Sequence, residues 1–134
     1  MPGYSGTPLP KKLGIKQGFR VALAGMPFDV EAELRSSLAE CTVVKAPRTP
    51  LDFALVFVTR QSDLRKHFAR LVEQLAPAGM VWISWPKKSS GMTTDVNEND
   101  VRRFGLAAGL VDVKVCAISE IWSGLKFVRR MKDR

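Results

Sequence analysis

The sequence predicts an α/β fold: a three-layer Rossmann-like domain with a mostly parallel six-stranded sheet, helices on both faces and a C-terminal antiparallel hairpin. Strands alternate with helices along most of the chain, which favours parallel strands joined by crossovers. Residues 53–58 form a continuous apolar run, typical of a strand buried on both faces. At 134 residues, the chain is expected to be a single domain, 1–134.

The first half of the chain is expected to open with an N-terminal arm and short helix, residues 1–18. Thr7 has the character of an N-cap, and Pro8 suits the first position of a helix that ends at Gly14. A strand over 19–24, a helix over 29–38, a second strand over 42–46 and a third strand over 52–59 then follow.

The second half begins with a helix over 62–75, whose apolar residues fall on one stripe at the helical period. Residues 76–79 are expected to end it, before a fourth strand over 80–85 and a polar loop over 87–93 that has no element of its own. Asp95 is the expected N-cap, in a capping box, of a helix that runs to residue 108. Strands over 110–118 and 122–129 have the spacing of a hairpin.

Charge is the unusual feature of the composition. The 21 Lys and Arg residues exceed the 13 Asp and Glu residues, for a net charge of +8. Such a balance favours anionic partners. The basic residues are scattered, so nucleic acid is an alternative and not the favoured partner. Apolar runs stay well below the ~20 residues that span a bilayer, and the first residues lack a signal-peptide core, so a cytoplasmic bacterial protein with no membrane contact is expected.

Three segments resemble parts of class I methyltransferases. Residues 13–21 resemble the entry to their first strand, and residues 52–86 resemble two later strands with the helix between them. Residues 109–129 resemble their closing hairpin. The family carries a glycine motif after the first strand, where this chain has Gly25-Met26-Pro27. It also carries a ribose-binding acid after the second strand, where this chain has Lys45 and Ala46. One strand–helix unit is missing as well. The resemblance therefore implies the fold of a trimmed relative that does not bind S-adenosylmethionine in the usual way.

A closer resemblance is to a family of small bacterial proteins catalogued only as a domain of unknown function. Its motifs resemble residues 3–9 with 12–16, Trp85-Pro86-Lys87 with Thr94-Asp95, and residues 109–112 through 122–125. These motifs span the whole chain. The resemblance implies membership of that family and brings no established activity.

The candidate site lies where ligands bind in open parallel sheets, beyond the carboxyl ends of the strands at the point where strand order reverses. With the third strand beside the first, the helix N-terminus near Ser62 would point into this crevice and offer an anion site. Arg60, Lys87 and Lys88 would add charge-assisted bonds. The alternative is that Ser62 only caps the helix and the lysines are only solvated.

The loop from Trp85 to Asp95 is the favoured segment, because its hydroxyl and ammonium groups suit a phosphate or carboxylate and its tryptophan could stack on a ring. The alternative is that Asp95 caps the next helix and Trp85 belongs to the core. The predicted ligand-binding residues are Arg60, Ser62, Trp85, Lys87, Lys88, Ser89, Thr94 and Asp95.

No catalytic residue, metal site or cofactor is assigned. His67, the only histidine, flanks an apolar stripe and is expected to pack at its boundary, while Trp122 is expected to pin the hairpin. Cys41 and Cys116 match no metal or redox spacing and are expected to be small buried hydrophobes.

The predicted function is binding of an anionic small molecule or partner without methyl transfer. The alternatives are a minimal S-adenosylmethionine-dependent methyltransferase and a basic module that meets nucleic acid or an acidic protein. The sequence leaves open whether the protein is an enzyme, and it does not predict an oligomeric state.

Overall fold

Six strands form one sheet in the computed structural model, which describes residues 6–45 and 50–134. The strands are β1 (Arg20–Ala24), β2 (Thr42–Val43), β3 (Leu51–Phe57), β4 (Leu75–Pro86), β5 (Leu110–Ala117) and β6 (Trp122–Arg129). The helices are α1 (Leu9–Leu13), α2 (Phe28–Leu38), α3 (Gln61–Gln74) and α4 (Glu98–Ala107), with short 3-10 turns over Lys88–Ser90 and Met131–Asp133. None of the helices described is long and apolar enough to cross a membrane.

The strand order is β2-β1-β3-β4-β6-β5. The first four strands of this order run parallel, with Val21 beside Phe53 and Leu55 beside Trp82. Strand β6 inserts between β4 and β5 and runs antiparallel to both. This confirms the predicted fold class, including the terminal hairpin and the position of the third strand beside the first.

Helices cover both faces of the sheet, so the domain has three layers. Helices α1 and α2 pack on one face over Phe53, Leu55 and Trp82, and α3 and α4 pack on the other over Ala54 and Val56. Alternate residues of β3 therefore serve two cores, which is why its sequence is apolar without interruption. Trp82 also fastens α1, because its indole Nε1–H donates to the Leu13 carbonyl oxygen at 2.8 Å.

Several of the predicted strand boundaries are wrong. Strand β2 has two residues and ends at Val43, and residues 46–49 lie outside the described part of the chain, as do residues 1–5. Residues 76–79, expected to end a helix, belong to β4, because Leu75 already pairs with Leu51 across an irregular register. A Cβ at Gly79 would lie 2.5 Å from the Leu51 carbonyl oxygen, so only glycine permits this approach.

The predicted helix caps are also wrong. Pro8, not Thr7, is the N-cap of α1. Arg60 is the N-cap of α3, and Ser62 is the second residue of that helix, without a capping bond. Asn97, not Asp95, caps α4.

The cap of α4 is a complete capping box. The Asn97 side chain accepts from the Asp100 backbone N–H at 2.9 Å, and the Asp100 carboxylate accepts from the Asn97 N–H at 3.1 Å. Because asparagine is as good an N-cap as aspartate, residue preference does not distinguish Asp95 from Asn97 as the start of this helix. The preceding loop, expected to lack structure, contains the Lys88–Ser90 turn.

Candidate functional site

The segment that follows β4 folds back across the carboxyl edge of the sheet. Thr94 Oγ1 donates to the carbonyl oxygen of Thr59, just beyond β3, at 2.7 Å, and the Asp95 backbone N–H donates to the same oxygen at 3.2 Å. The Lys87 backbone N–H donates to the Ile121 carbonyl oxygen at 2.7 Å. Both ends of the Trp85–Asp95 loop are therefore fixed to neighbouring strand ends.

The N-terminus of α3 is occupied by a carboxylate of the protein itself. Asp95 Oδ1 accepts from the Gln61 backbone N–H at 2.8 Å, and Gln61 Nε2 returns a bond to the Asp95 carbonyl oxygen at 2.8 Å. The helix dipole favours a negative charge at this position. The sequence predicted that an external anion would bind near Ser62. The Asp95 side chain lies at this position instead.

A cavity of about 450 Å³ lies between the end of β4 and the start of α4; we call it the Trp85 cavity. Trp85 is only 5 % exposed and belongs to the core on the α3/α4 face, yet it also lines this space. The expectation that Trp85 belongs to the core is confirmed, and its assignment as a ligand-binding residue stays a prediction. The lining residues are Trp85, Pro86, Lys88, Thr94, Asp95, Val96, Asn97 and Glu98.

The polar groups of this cavity differ in how far they are engaged. The Asp95 carboxylate is bonded to Gln61, and the Glu98 carboxylate pairs with Arg102 at 2.9 Å. The Thr94 hydroxyl donates to Thr59 and accepts from the Val96 backbone N–H. The exposed Lys88 side chain forms no hydrogen bond or ion pair within the described residues. The Lys88 ammonium is therefore available to pair with a ligand in the cavity.

The structure brings half of the predicted site residues together. Trp85, Lys88, Thr94 and Asp95 line the Trp85 cavity. The other four lie outside this lining; they are Arg60, Ser62, Lys87 and Ser89. Three of these four are exposed and Lys87 is half-buried.

The point where strand order reverses, between β1 and β3, is closely packed. Gly25 has φ of +67°, and a Cβ there would lie 2.8 Å from the Phe57 carbonyl oxygen. Met26 is half-buried against the core of the α1/α2 face, whereas Phe28 is 80 % exposed. The turn after β1 therefore rests directly on the end of β3.

A second cavity, of about 330 Å³, was missed from the sequence; we call it the Ala22 cavity. It lies on the α3/α4 face of the sheet over β1, beside α3. The signal that could have found it is the missing strand–helix unit, because a helix at that place would cover these residues. The lining is Ala22, Leu23, Ala24, Val44, Lys45, Val56, His67, Arg70, Leu71, Glu73 and Gln74.

His67 lies at the wall of the Ala22 cavity and is half-buried, in agreement with a boundary position. Burial lowers the pKa of His67, and the neighbouring Arg70 charge lowers it further, while Asp63 opposes the shift. Burial also raises the pKa values of the free thiols Cys41 and Cys116. Within the described residues, no three His, Cys, Asp or Glu side chains are grouped to hold a metal ion.

In a comparison with protein families, the family described as "Protein of unknown function (DUF3052)" matches residues 10–131. Comparison with curated proteins finds no match.

Several solved structures share the fold. A SAM-dependent methyltransferase from Aquifex aeolicus is 15% identical, with a TM-score of 0.61 over 87% of this chain and 85% of that one. Magnesium protoporphyrin IX methyltransferase (ChlM) from Synechocystis PCC 6803 with bound SAH is 11% identical, with a TM-score of 0.59 over 85% and 75%. A TehB-like SAM-dependent methyltransferase from Corynebacterium glutamicum is 9% identical, with a TM-score of 0.57 over 96% and 90%. At these identities the likeness establishes the fold alone.

Proposed function

Since the chain belongs to the DUF3052 family of proteins of unknown function and has the fold of class I methyltransferases, we propose that it is a small-molecule binding protein without methyltransferase activity. Its ligand is an anionic molecule held in the Trp85 cavity. The observation that carries the proposal is the state of the charges there: both carboxylates are engaged by groups of the protein, and the Lys88 ammonium has no partner among the described residues.

The shape of the cavity supports the same function. Its volume of about 450 Å³ lies within the range of roughly 300–1,000 Å³ for small-molecule sites. Trp85, Pro86 and Val96 supply apolar walls for the body of a ligand. It opens at the carboxyl end of a parallel strand, where α/β sheets bind ligands.

Two positions favour binding without S-adenosylmethionine. Gly25 is packed against the Phe57 carbonyl oxygen, and the bulkier Met26 follows it, where the resembling enzymes have a glycine motif. Lys45 stands after β2, where those enzymes have an acid for the ribose hydroxyls. A lysine cannot accept hydrogen bonds from those hydroxyls.

The test is a thermal-shift screen of nucleotides, sugar phosphates and aromatic carboxylates at millimolar concentration, because a ligand that binds only the folded state raises the melting temperature. Titration calorimetry on any hit then compares Lys88→Gln with Lys132→Gln, which changes an exposed lysine in the other 3-10 turn. We expect Lys88→Gln to weaken binding about two- to fivefold, the strength of an exposed ion pair. Equal affinities in both variants, or no stabilisation by any compound, would contradict the proposal.

A methyltransferase is the second candidate, and the observation that favours it is the fold. Structures of ChlM, which resembles this chain in fold, hold SAH in one case and SAM in another. Titration calorimetry with S-adenosylmethionine and S-adenosylhomocysteine separates the two candidates. We expect no heat of binding from either compound, and saturable heat from both would favour the enzyme.

A further inference from the structure

The Ala22 cavity has an apolar floor made by β1, β3 and the residue that follows β2. Ala22 and Ala24 of β1 lie on the same face as Val56 of β3, since Ala24 is paired in register with Val56. Val44, just beyond β2, extends this floor, and its backbone N–H donates to the Val21 carbonyl oxygen at 2.8 Å. The small alanine side chains leave space above the sheet.

Helix α3 forms one wall of the cavity and supplies its polar groups. Leu71 is buried in the core, while Arg70 and Glu73 are exposed and His67 is half-buried. The cavity is therefore a slot between the face of the sheet and the side of a helix. A planar molecule fits such a slot better than a bulky one.

The rim of the slot carries an excess of positive charge. Lys45 and Arg70 line it, and neither forms a hydrogen bond or an ion pair within the described residues. Glu73 is the one carboxylate among the lining residues. The net rim charge of these three groups is +1, and the imidazole of His67 adds a hydrogen-bonding group to the lining.

We propose that the Ala22 cavity is a second binding site, which takes a planar aromatic carboxylate. Its ring lies on Ala22, Ala24 and Val44, and its carboxylate meets Arg70 and Lys45. Guanidinium suits this role because its planar fork donates to both oxygens of a carboxylate. The site is separate from the Trp85 cavity, and the two share no lining residue.

The size of the cavity argues for a small molecule and against a docked segment of protein. At about 330 Å³ it lies at the lower end of the range for small-molecule sites. A helix with its side chains is about 10 Å or more across and would need a wider groove. The free cations at the rim also fit a charged ligand better than an apolar helix face.

An NMR titration tests this site with two probes of matched shape, naphthalene-2-carboxylate and naphthalene-2-carboxamide. We expect both to shift the backbone amide signals of Ala22, Ala24 and Val44, and the carboxylate to bind at least twice as tightly. Arg70→Gln and Lys45→Gln should each weaken the carboxylate about two- to fivefold and leave the carboxamide unchanged. Both residues are exposed, so these variants should fold.

Two controls keep this test separate from the proposed function. Lys66→Gln changes an exposed lysine of the same helix outside the cavity and should leave both affinities unchanged. Ala24→Leu fills the floor and should abolish binding of both probes, with the spectrum itself reporting whether the variant is folded. The proposal is overturned if signals of β1 do not shift, if only signals around Trp85 shift, or if the two probes bind equally.

Discussion

The Asp95 carboxylate accepts a hydrogen bond from the Gln61 backbone N–H at 2.8 Å, across 34 positions of sequence. The Asp95 backbone N–H and the Thr94 hydroxyl both donate to the Thr59 carbonyl oxygen. Because the first N–H groups of a helix have no partner inside it, this contact supplies the cap that the first turn of α3 lacks. It also holds the wall of the Trp85 cavity against the sheet.

Replacing Asp95 should therefore destabilise the whole domain. We expect Asp95→Ala to lower the free energy of unfolding by about 1 kcal/mol, the usual effect of losing an N-cap, and Asp95→Asn to lower it less because the amide oxygen still accepts. Urea unfolding measures both. Ser62→Ala is the control and should change stability little, because this exposed serine makes no capping bond. A Ser62→Ala loss as large as that of Asp95→Ala would show that the cap has been assigned to the wrong residue.

The fold could be predicted because its strongest signals are local. The apolar run of β3 reflects burial on both faces, and the spacing of the final two strands reflects a hairpin. The apolar residues of α3 recur at the helical period, and two of them, Leu64 and Phe68, lie in the core. Each of these patterns follows from the environment of a single element.

The site could be predicted only in part, because its polar contacts join distant segments. Nothing near Asp95 in sequence indicates that its carboxylate binds Gln61, and Asn97 offers an equally good cap for α4. The Ala22 cavity is harder still to predict. It exists because nothing among the described residues covers Ala22 and Val44, although these residues are as apolar as strand residues that lie beneath a helix.

Gly105 is expected to be intolerant of any side chain. A Cβ at this position in α4 would lie 2.1 Å from Phe127 Cε1, in the core of the α3/α4 face. We expect Gly105→Ala to lower the free energy of unfolding by about 1–3 kcal/mol, despite the higher helix propensity of alanine. The double variant Gly105→Ala/Phe127→Leu should lose less than the sum of its single variants. Strict additivity in urea unfolding would argue against this contact.

Lys126 should be replaceable with a gain in stability. It lies directly opposite Lys114 in the β5–β6 pair. Burial lowers the pKa of Lys126, and the Lys114 charge lowers it further, so the protonated form is disfavoured in the folded state. Lys126→Met keeps most of the alkyl chain and removes the like-charge contact, which should raise the free energy of unfolding by about 0.2–1 kcal/mol. Lys132→Met, at an exposed turn, is the control; an equal gain there would assign the effect to net charge.

His67 should make stability depend on pH near neutrality. Its pKa is lowered in the folded state, chiefly by burial and then by Arg70, whereas the unfolded chain keeps a value of about 6.5. The unfolded state therefore binds more protons in this window, so stability rises as pH rises from the lowered pKa to about 6.5, and it falls on acidification. One group contributes at most about 1.4 kcal/mol per pH unit. Urea unfolding of the wild type and His67→Gln between about pH 5 and 8 measures the difference. Since His67 is the only histidine, two parallel stability curves would show that its environment does not disfavour the charged ring.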